Sequence, residues 1–418
     1  QCFDVDAVQI DQNNNCAFPV NSFISKRINT LLPWIPSQKI NYDNVFRCKI
    51  LVNMGLAYLQ LCDEQAANEF FRLAFEVASH RIKFDFLPIL CLYHMARLGY
   101  IANSYEESYH LYSDALSACR HFMRRGTKAH ARSKENIKYL HRFEASCLVG
   151  IAWLCIKNED MDNALYCCDH ALSLQLKVLR EKHFETGATN YILGVIHHVS
   201  GDYSTAMTHY LRYLDIAESS FGDNHPHTAS ALHQIGNILL NEEELDEAMD
   251  YFLRALKIRK EIFGPCSIHA ARTLYSIGCV YFKQENFVDA LEAYNNSLHV
   301  KLTVLGGYHI ETMETALQIG QSHHKRGELH DALLSYRLVL KIALASLKKN
   351  DPFVARIWKM IGIVQLEFKG TSRAMNAFSE AIKIDEEFGA VNIADNPDFT
   401  SASLLHLAGD QVPDAAAA

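Results

Sequence analysis

Residues 236–256, GNILLNEEELDEAMDYFLRAL, place apolar side chains three and four positions apart, the spacing of one face of an α-helix. Nearly the same order of apolar and polar positions returns at 278–298 as GCVYFKQENFVDALEAYNNSL. The step is 42 residues, and Gly194, Gly236, Gly278, Gly320 and Gly362 all keep it. With each Gly counted as position 0, position +12 holds Ala206, Ala248, Ala290, Ala332 and Ala374. Position +16 holds Tyr210, Phe252, Tyr294, Tyr336 and Phe378. Position +9 holds Tyr203, Leu245, Phe287 and Leu329, with Thr371 breaking the series. A pattern copied at a fixed step predicts stacked units rather than one central core.

Each unit reads as two helices. Helix A carries the Gly; helix B carries the small residue at +12 and the aromatic at +16. SGDY, NEEEL, KQENF and KRGEL mark the turns between them. The small residue at +12 lets a neighbouring helix come close, the Gly offers the matching gap, and the +16 ring is expected to fill the space between layers. Pro226 and Pro352 lie ten residues before their Gly, where a missing N–H costs nothing; Ser267 and Asp351 suit the N-cap. Weaker copies start from Gly55, Ala96 and Ala152, with Phe71, Tyr112 and Cys168 at +16, which makes eight repeats. The interval from Ala96 to Ala152 is 56 residues, and its excess is placed in a loop around RRGTKAHARSKE, 124–135.

Composition narrows the function. Hydrophobic residues make up 49% of the 418, while Gly (19) and Pro (9) are sparse, as in a helical folded chain. A net charge of −8 lacks the basic footprint of a nucleic-acid binder. The 12 cysteines form no CxxC pair, and Cys147, Cys155, Cys167 and Cys168 fall within helical patterns. They read as buried thiols of a reducing compartment, not as a zinc set or disulfide framework. No apolar run approaches the roughly 18 residues that span a bilayer. The start, QCFDVDAVQI, lacks a basic leader and a Met, and reads as trimmed. A cytoplasmic protein without membrane insertion is expected. No nucleophile elbow, phosphate loop or dinucleotide fingerprint occurs, so no enzyme activity and no cofactor are expected. His197-His198 and His323-His324 share a phase but lack further ligands at metal spacing; no metal is expected. Arg124, Arg125, Lys128, Arg132 and Lys134 form a basic patch that reads either as a solvated loop or as an anionic-surface or nuclear-localisation signal.

These residues resemble a tetratricopeptide repeat. RIWKMIGIVQLEFKGTSRAMNAFSEAIKI (356–384) carries Trp358, Gly362, Ala374, Phe378 and Ala381 at the positions of that family. The usual repeat has about 34 residues. The longer step, with linkers such as FGDNHPHTAS (221–230), resembles the repeat of kinesin light chains. The resemblance implies an all-α, right-handed superhelical solenoid of about eight helix-turn-helix repeats over residues 44–390. An irregular segment, 1–43, precedes it; a capping helix from TSASLLHLA and a disordered tail occupy 391–418. It implies a non-enzymatic scaffold whose partner is a protein or peptide. Two departures stand out. Residues 1–43 show no heptads of the kind that join a kinesin light chain to its motor. Where the family tends to carry paired Asn on helix A, this chain has His233-Gln234, Tyr275-Ser276 and Leu317-Gln318, which does not favour a generic carboxylate clamp.

In that architecture helix A lines the concave side, with −6, −3, −2, +1, +4 and +5 facing in. The candidate peptide-binding groove is then His233, Gln234, Asn237, Asn241, Arg272, Tyr275, Lys283, Gln318, Gln321, Lys325, Arg356 and Lys359, beside Ser230, Ser276, Glu314, His324 and Glu367. Five cations (Arg272, Lys283, Lys325, Arg356, Lys359) face two anions (Glu314, Glu367), against 40 basic and 48 acidic residues in the whole chain. A basic stripe on an acidic protein favours an extended acidic peptide; the same residues would also suit a plain solvated helix face. Two other readings remain. One is an autoinhibited sensor whose groove holds its own terminal segment, such as residues 1–12 with Asp4, Asp6 and Asp11. The other is an assembly subunit that uses the solenoid for self-association.

Overall fold

The computed structural model describes residues 41–387 apart from 62, 82–85, 126–133 and 180. The acidic stretch 1–12 and the capping and tail segment 391–418 lie outside the described residues, as does all but the end of the irregular segment 1–43. Sixteen helices and no strand occur among the described residues. They are α1 (Asn41–Gln60), α2 (Glu64–Arg81), α3 (Leu87–Ile101), α4 (Tyr105–Arg125), α5 (Lys134–Lys157), α6 (Met161–Val178), α7 (Phe184–Val199) and α8 (Tyr203–Phe221). Then follow α9 (Pro226–Asn241), α10 (Leu245–Phe263), α11 (Ile268–Lys283), α12 (Phe287–Val304), α13 (Ile310–Lys325), α14 (Leu329–Ser346), α15 (Pro352–Glu367) and α16 (Thr371–Glu387). Odd-numbered helices are the A helices and even-numbered ones the B helices. Two compact units divide the chain: α1–α7 belong to the first, which runs to Ser200, and α8–α16 to the second, from Gly201.

The helix ends follow from local chemistry. Pro226 and Pro352 open α9 and α15. The Ser267 hydroxyl accepts the Ala270 N–H, and the Asp351 carboxylate accepts the Phe353 N–H. His183, His225 and His309 cap three A helices in the same way, each ring accepting an N–H through Nδ1. The A–B turn uses one backbone device. Position +7 is left-handed in seven repeats: Asn103, Glu159, Gly201, Glu243, Glu285, Gly327 and Lys369 have φ between 57° and 79°. Gly201 and Gly327 adopt this without a Cβ penalty, whereas Glu or Lys there costs about 1–2 kcal/mol that the rest of the hairpin must offset.

Packing within a hairpin rests on the anchor glycine. A Cβ placed on Gly55, Gly236, Gly278, Gly320 or Gly362 would lie 2.5–2.8 Å from the ring of Phe71, Phe252, Tyr294, Tyr336 or Phe378. The +16 ring therefore sits on the bare backbone of its own A helix, and not between layers as the sequence pattern suggested. The +12 alanines are completely buried. Successive hairpins join through apolar clusters. In the second unit Val339, Leu340 and Ala343 of α14 pack with Phe353, Val354 and Ile357 of α15. In the first, Cys48, Leu51, Phe71 and Ala74 of α1 and α2 pack with Cys91 and Leu98 of α3.

The interval between Ala96 and Ala152 differs from expectation. Arg124 and Arg125 belong to α4 and Lys134 and Glu135 to α5, so helix reaches into both ends of the expected loop, and Lys128 and Arg132 lie outside the described residues. The excess is partly helical, because α5 has 24 residues against 16 in α7, α9, α11, α13 and α15. Among the described cysteines, Cys48, Cys91, Cys119, Cys147, Cys155, Cys167 and Cys168 are buried. Burial pushes Cys155 up to about 11 and Cys119 up to about 12, so both stay protonated.

The glycine seat has a testable cost. Gly278→Val would drive a side chain into the Tyr294 ring, and overpacking of this kind costs about 1–3 kcal/mol. Urea unfolding should show that loss, and Tyr294→Leu in the same chain should make the glycine substitution less harmful than it is alone.

Candidate functional site

The candidate site is built from the A helices of the second unit, α9, α11, α13 and α15. The register that seats the +16 ring fixes which positions meet the next A helix. Position +1 meets −2: the Ser276 hydroxyl lies 3.5 Å from Asn237 Oδ1, and the Gln321 amide donates towards Met360 Sδ at 3.9 Å. Position +5 meets +4: Lys283 Nζ donates to the Leu240 carbonyl at 3.0 Å, and His324 Nε2 lies 2.9 Å from Glu367 Oε1. α9 is thus linked to α11, and α13 to α15, by side-chain bonds.

The twelve expected groove residues divide by exposure. His233 and Gln234 are buried, at 1% exposure each, and Arg272 is buried at 8%; these three line the interior and correct the expectation that they face a ligand. His233 packs 5.3 Å from the Phe252 ring. Asn237, Asn241, Tyr275, Gln318, Gln321, Arg356 and Lys359 are half-buried, and Lys283 and Lys325 are exposed. Asn237 donates to Gln234 Oε1 at 3.1 Å, which pre-orients both amides.

Charge is where the sequence-based view changes most. Arg272 grips Glu311 through two hydrogen bonds, 2.8 and 3.1 Å. Arg356 bonds Glu314 at 3.5 Å and lies 5.0 Å from the Phe353 ring. Lys359 bonds Asp385 at 2.9 Å. Three of the five counted cations are therefore neutralised within the fold, two of them by Glu311 and Asp385, which lie at −9 and +23, outside the positions counted. A charge reversal at Arg272 would break an internal ion pair before it affected any ligand.

The Arg272–Glu311 pair belongs to a second polar register that the apolar pattern concealed. Position +23 of one repeat bonds position −5 of the next, 14 residues on. Thr189 donates to Gln175 at 2.8 Å, Arg259 to Thr273 at 2.8 Å and Lys301 to Thr315 at 3.1 Å. Arg259 and Lys301 are each 1% exposed. Lys301 also lies 3.7 Å from Glu311 and 4.6 Å from the centre of the Tyr275 ring. A buried cation at a helical core position reads as an error in an apolar stripe; its threonine partner 14 residues later is the signal that could have revealed it.

Histidine chemistry here is structural. Burial lowers His94 and His227 to about 3 and His198 to about 4, so all three are neutral near pH 7. His227 Nδ1 lies 2.8 Å from the Tyr213 hydroxyl. His323, Glu328 and Asp331 bring three ligand-type atoms within 4.8 Å of one another. Glu328 there is already shared by His323 at 2.6 Å and Arg326 at 2.9 Å, an arrangement of mutually bonded surface charges. No described helix is long and apolar enough to cross a membrane.

The family profile described as tetratricopeptide repeat matches four overlapping segments, residues 143–219, 185–261, 227–302 and 269–345. No curated protein matches the sequence. Among solved structures, the apo form of RapI is 13% identical with a TM-score of 0.58, covering 83% of this chain and 99% of its own. A Signal Transduction ATPase with Numerous Domains carrying a tetratricopeptide repeat sensor, from Pyrococcus horikoshii, is 12% identical with a TM-score of 0.58, covering 90% and 55%. Nearly identical TPR-like repeats of a kinesin light chain from Podosopora anserina are 12% identical with a TM-score of 0.44, covering 50% and 99%. At this identity the likenesses concern the fold.

Burial lowers Lys301 from its ordinary 10.5 to about 8, against the attraction of Glu311. Between those values the unfolded chain binds more protons, so Lys301 contributes stability that grows as pH rises through the window. Urea unfolding of the wild type against Lys301→Met should show the wild type gaining relative stability from pH 8 to 10; parallel curves would place Lys301 in water.

Proposed function

The chain is a tetratricopeptide-repeat protein, and from that premise we propose a non-enzymatic interaction scaffold that binds extended, acidic peptide segments along its A-helix faces. One observation carries this reading. Asn237, Asn241, Tyr275, Gln318 and Gln321 form a half-buried row of amides and a phenol across three successive A helices. Such groups match the donors and acceptors of a peptide backbone, and bonds with Gln234 and Ser276 hold Asn237, and one with Met360 holds Gln321, before a ligand arrives. Lys283 and Lys325 are the exposed cations that would attract acidic side chains to this row.

The reading makes a definite demand on a selection from a random peptide library displayed on phage. Enriched peptides should slow amide exchange in α9, α11 and α13 more than in α10, α12 and α14. Failure to enrich any peptide, or protection confined to the B helices, would remove the scaffold reading.

A separate observation favours self-association as a second reading. Leu333 and Leu340 are 8% and 7% exposed in α14, whereas Met375 and Ile382, at the same positions of α16, are 67% and 53% exposed. An apolar end face is thus present among the described residues. Light scattering should report a multimer that Met375→Glu with Ile382→Glu dissolves; a monomeric wild type would exclude this reading.

A further inference from the structure

In the five repeats anchored from Gly194 onward, position −11 holds His183, His225, Ser267, His309 and Asp351. Each of these side chains accepts an N–H from the first turn of its A helix. They differ in what acid does to them. An imidazole accepts through Nδ1 only while that nitrogen carries no proton. Once protonated, it turns an N–H towards another N–H and sets a positive charge at the positive end of the helix. The Ser267 hydroxyl and the Asp351 carboxylate go on accepting between about pH 5 and 7.

At the start of α9 the capping imidazole is packed against a second one. The His225 ring stacks on Phe221 at 4.3 Å between centres and on His227 at 5.0 Å, and Phe221 lies 5.3 Å from His227. Three rings thus close on one another at the α8–α9 junction. His225 is half-buried and His227 buried. Tyr213 faces the pair from α8, with its hydroxyl 2.8 Å from His227 Nδ1. Asp223 precedes the pair in the linker, and Glu261 of α10 meets that linker at Asn224, 3.1 Å away. Burial holds both imidazoles below the usual histidine range, and the charge of His225 acts further against that of His227. At α13 the balance is different: Glu311 favours the charged form of His309, against burial, Arg272 and Lys301.

We propose that the α8–α9 junction is a proton-operated latch: neutral His225 and His227 hold the first turn of α9 against α8, and acidification below about pH 6 opens it. The latch acts on α9 whatever the array binds, so it does not depend on the scaffold reading. The sign follows from the two states. In the opened linker both rings titrate near the ordinary histidine value of about 6.5, whereas in the closed one they resist protonation. The stabilisation is therefore complete above that value and is lost as pH falls through it. Opening takes up as many as two protons, each shifting the equilibrium about tenfold per pH unit below 6.5, so the junction responds more steeply than a single histidine.

His94 and His198, buried in the first unit, also weaken the fold in acid, so the test must read the junction itself. Hydrogen exchange of the whole chain, followed by mass spectrometry at pH 7.5 and 5.5 and divided by the intrinsic rate at each pH, does so. Protection of peptides covering 222–232 should fall about 10–100-fold on acidification. Peptides covering 264–274, where Ser267 caps α11, should keep theirs. His225→Asn retains a capping acceptor that does not titrate, and His227→Phe retains a ring in the stack. The double variant should lose the pH dependence at 222–232, and His225→Asn alone should lose part of it. Circular dichroism shows whether the double variant folds, and the single one carries the test if it does not. No fall at 222–232, an equal fall at 264–274, or a fall that persists undiminished in the variants would overturn the latch. The peptide selection is a separate measurement, so the scaffold reading stands or falls independently.

Discussion

In five hairpins the aromatic ring at +16 lies on the bare backbone at position 0, and the rest of each of these hairpins is arranged around that contact. Because the ring occupies the volume of a missing side chain, helices A and B approach closely, and the buried alanine at +12 follows from the same approach. The contact also sets rotation. Once the ring is seated, +1, +4 and +5 of helix A must face the next A helix, and +19, +20 and +23 of helix B must face the next hairpin. The joints between repeats are therefore consequences of a packing decision made within each one.

Where position 0 is Ala, as at Ala96 and Ala152, no glycine seat is offered. The ring of Tyr112, at +16 from Ala96, lies over Gly150 of the next A helix while keeping an edge contact with Tyr93 of its own.

The periodicity made the fold legible. The five glycines, the +12 alanines and the +16 rings identified the hairpins from Gly194 onward, and Pro226, Pro352, Ser267 and Asp351 marked true helix starts. What escaped was whatever depends on two repeats at once. Counting charges on one row of A-helix positions gave five cations against two anions, because Glu311 and Asp385 approach that row from other registers. The left-handed +7 position was hidden for a different reason: Glu and Lys fill it as often as Gly, so residue identity does not announce it.

The 14-residue spacing of the buried polar pairs depends on the phase of adjoining repeats and not on distance from either terminus. Duplicating or excising a whole period from the regular part of the second unit would recreate the same joints at the new junction. Removing a single residue from within a helix would turn the rest of that helix's apolar stripe by about 100°. Genetic variation in array length is thereby quantised: recombination can lengthen or shorten such a chain in complete periods, while small insertions are tolerated only in the linkers between helices.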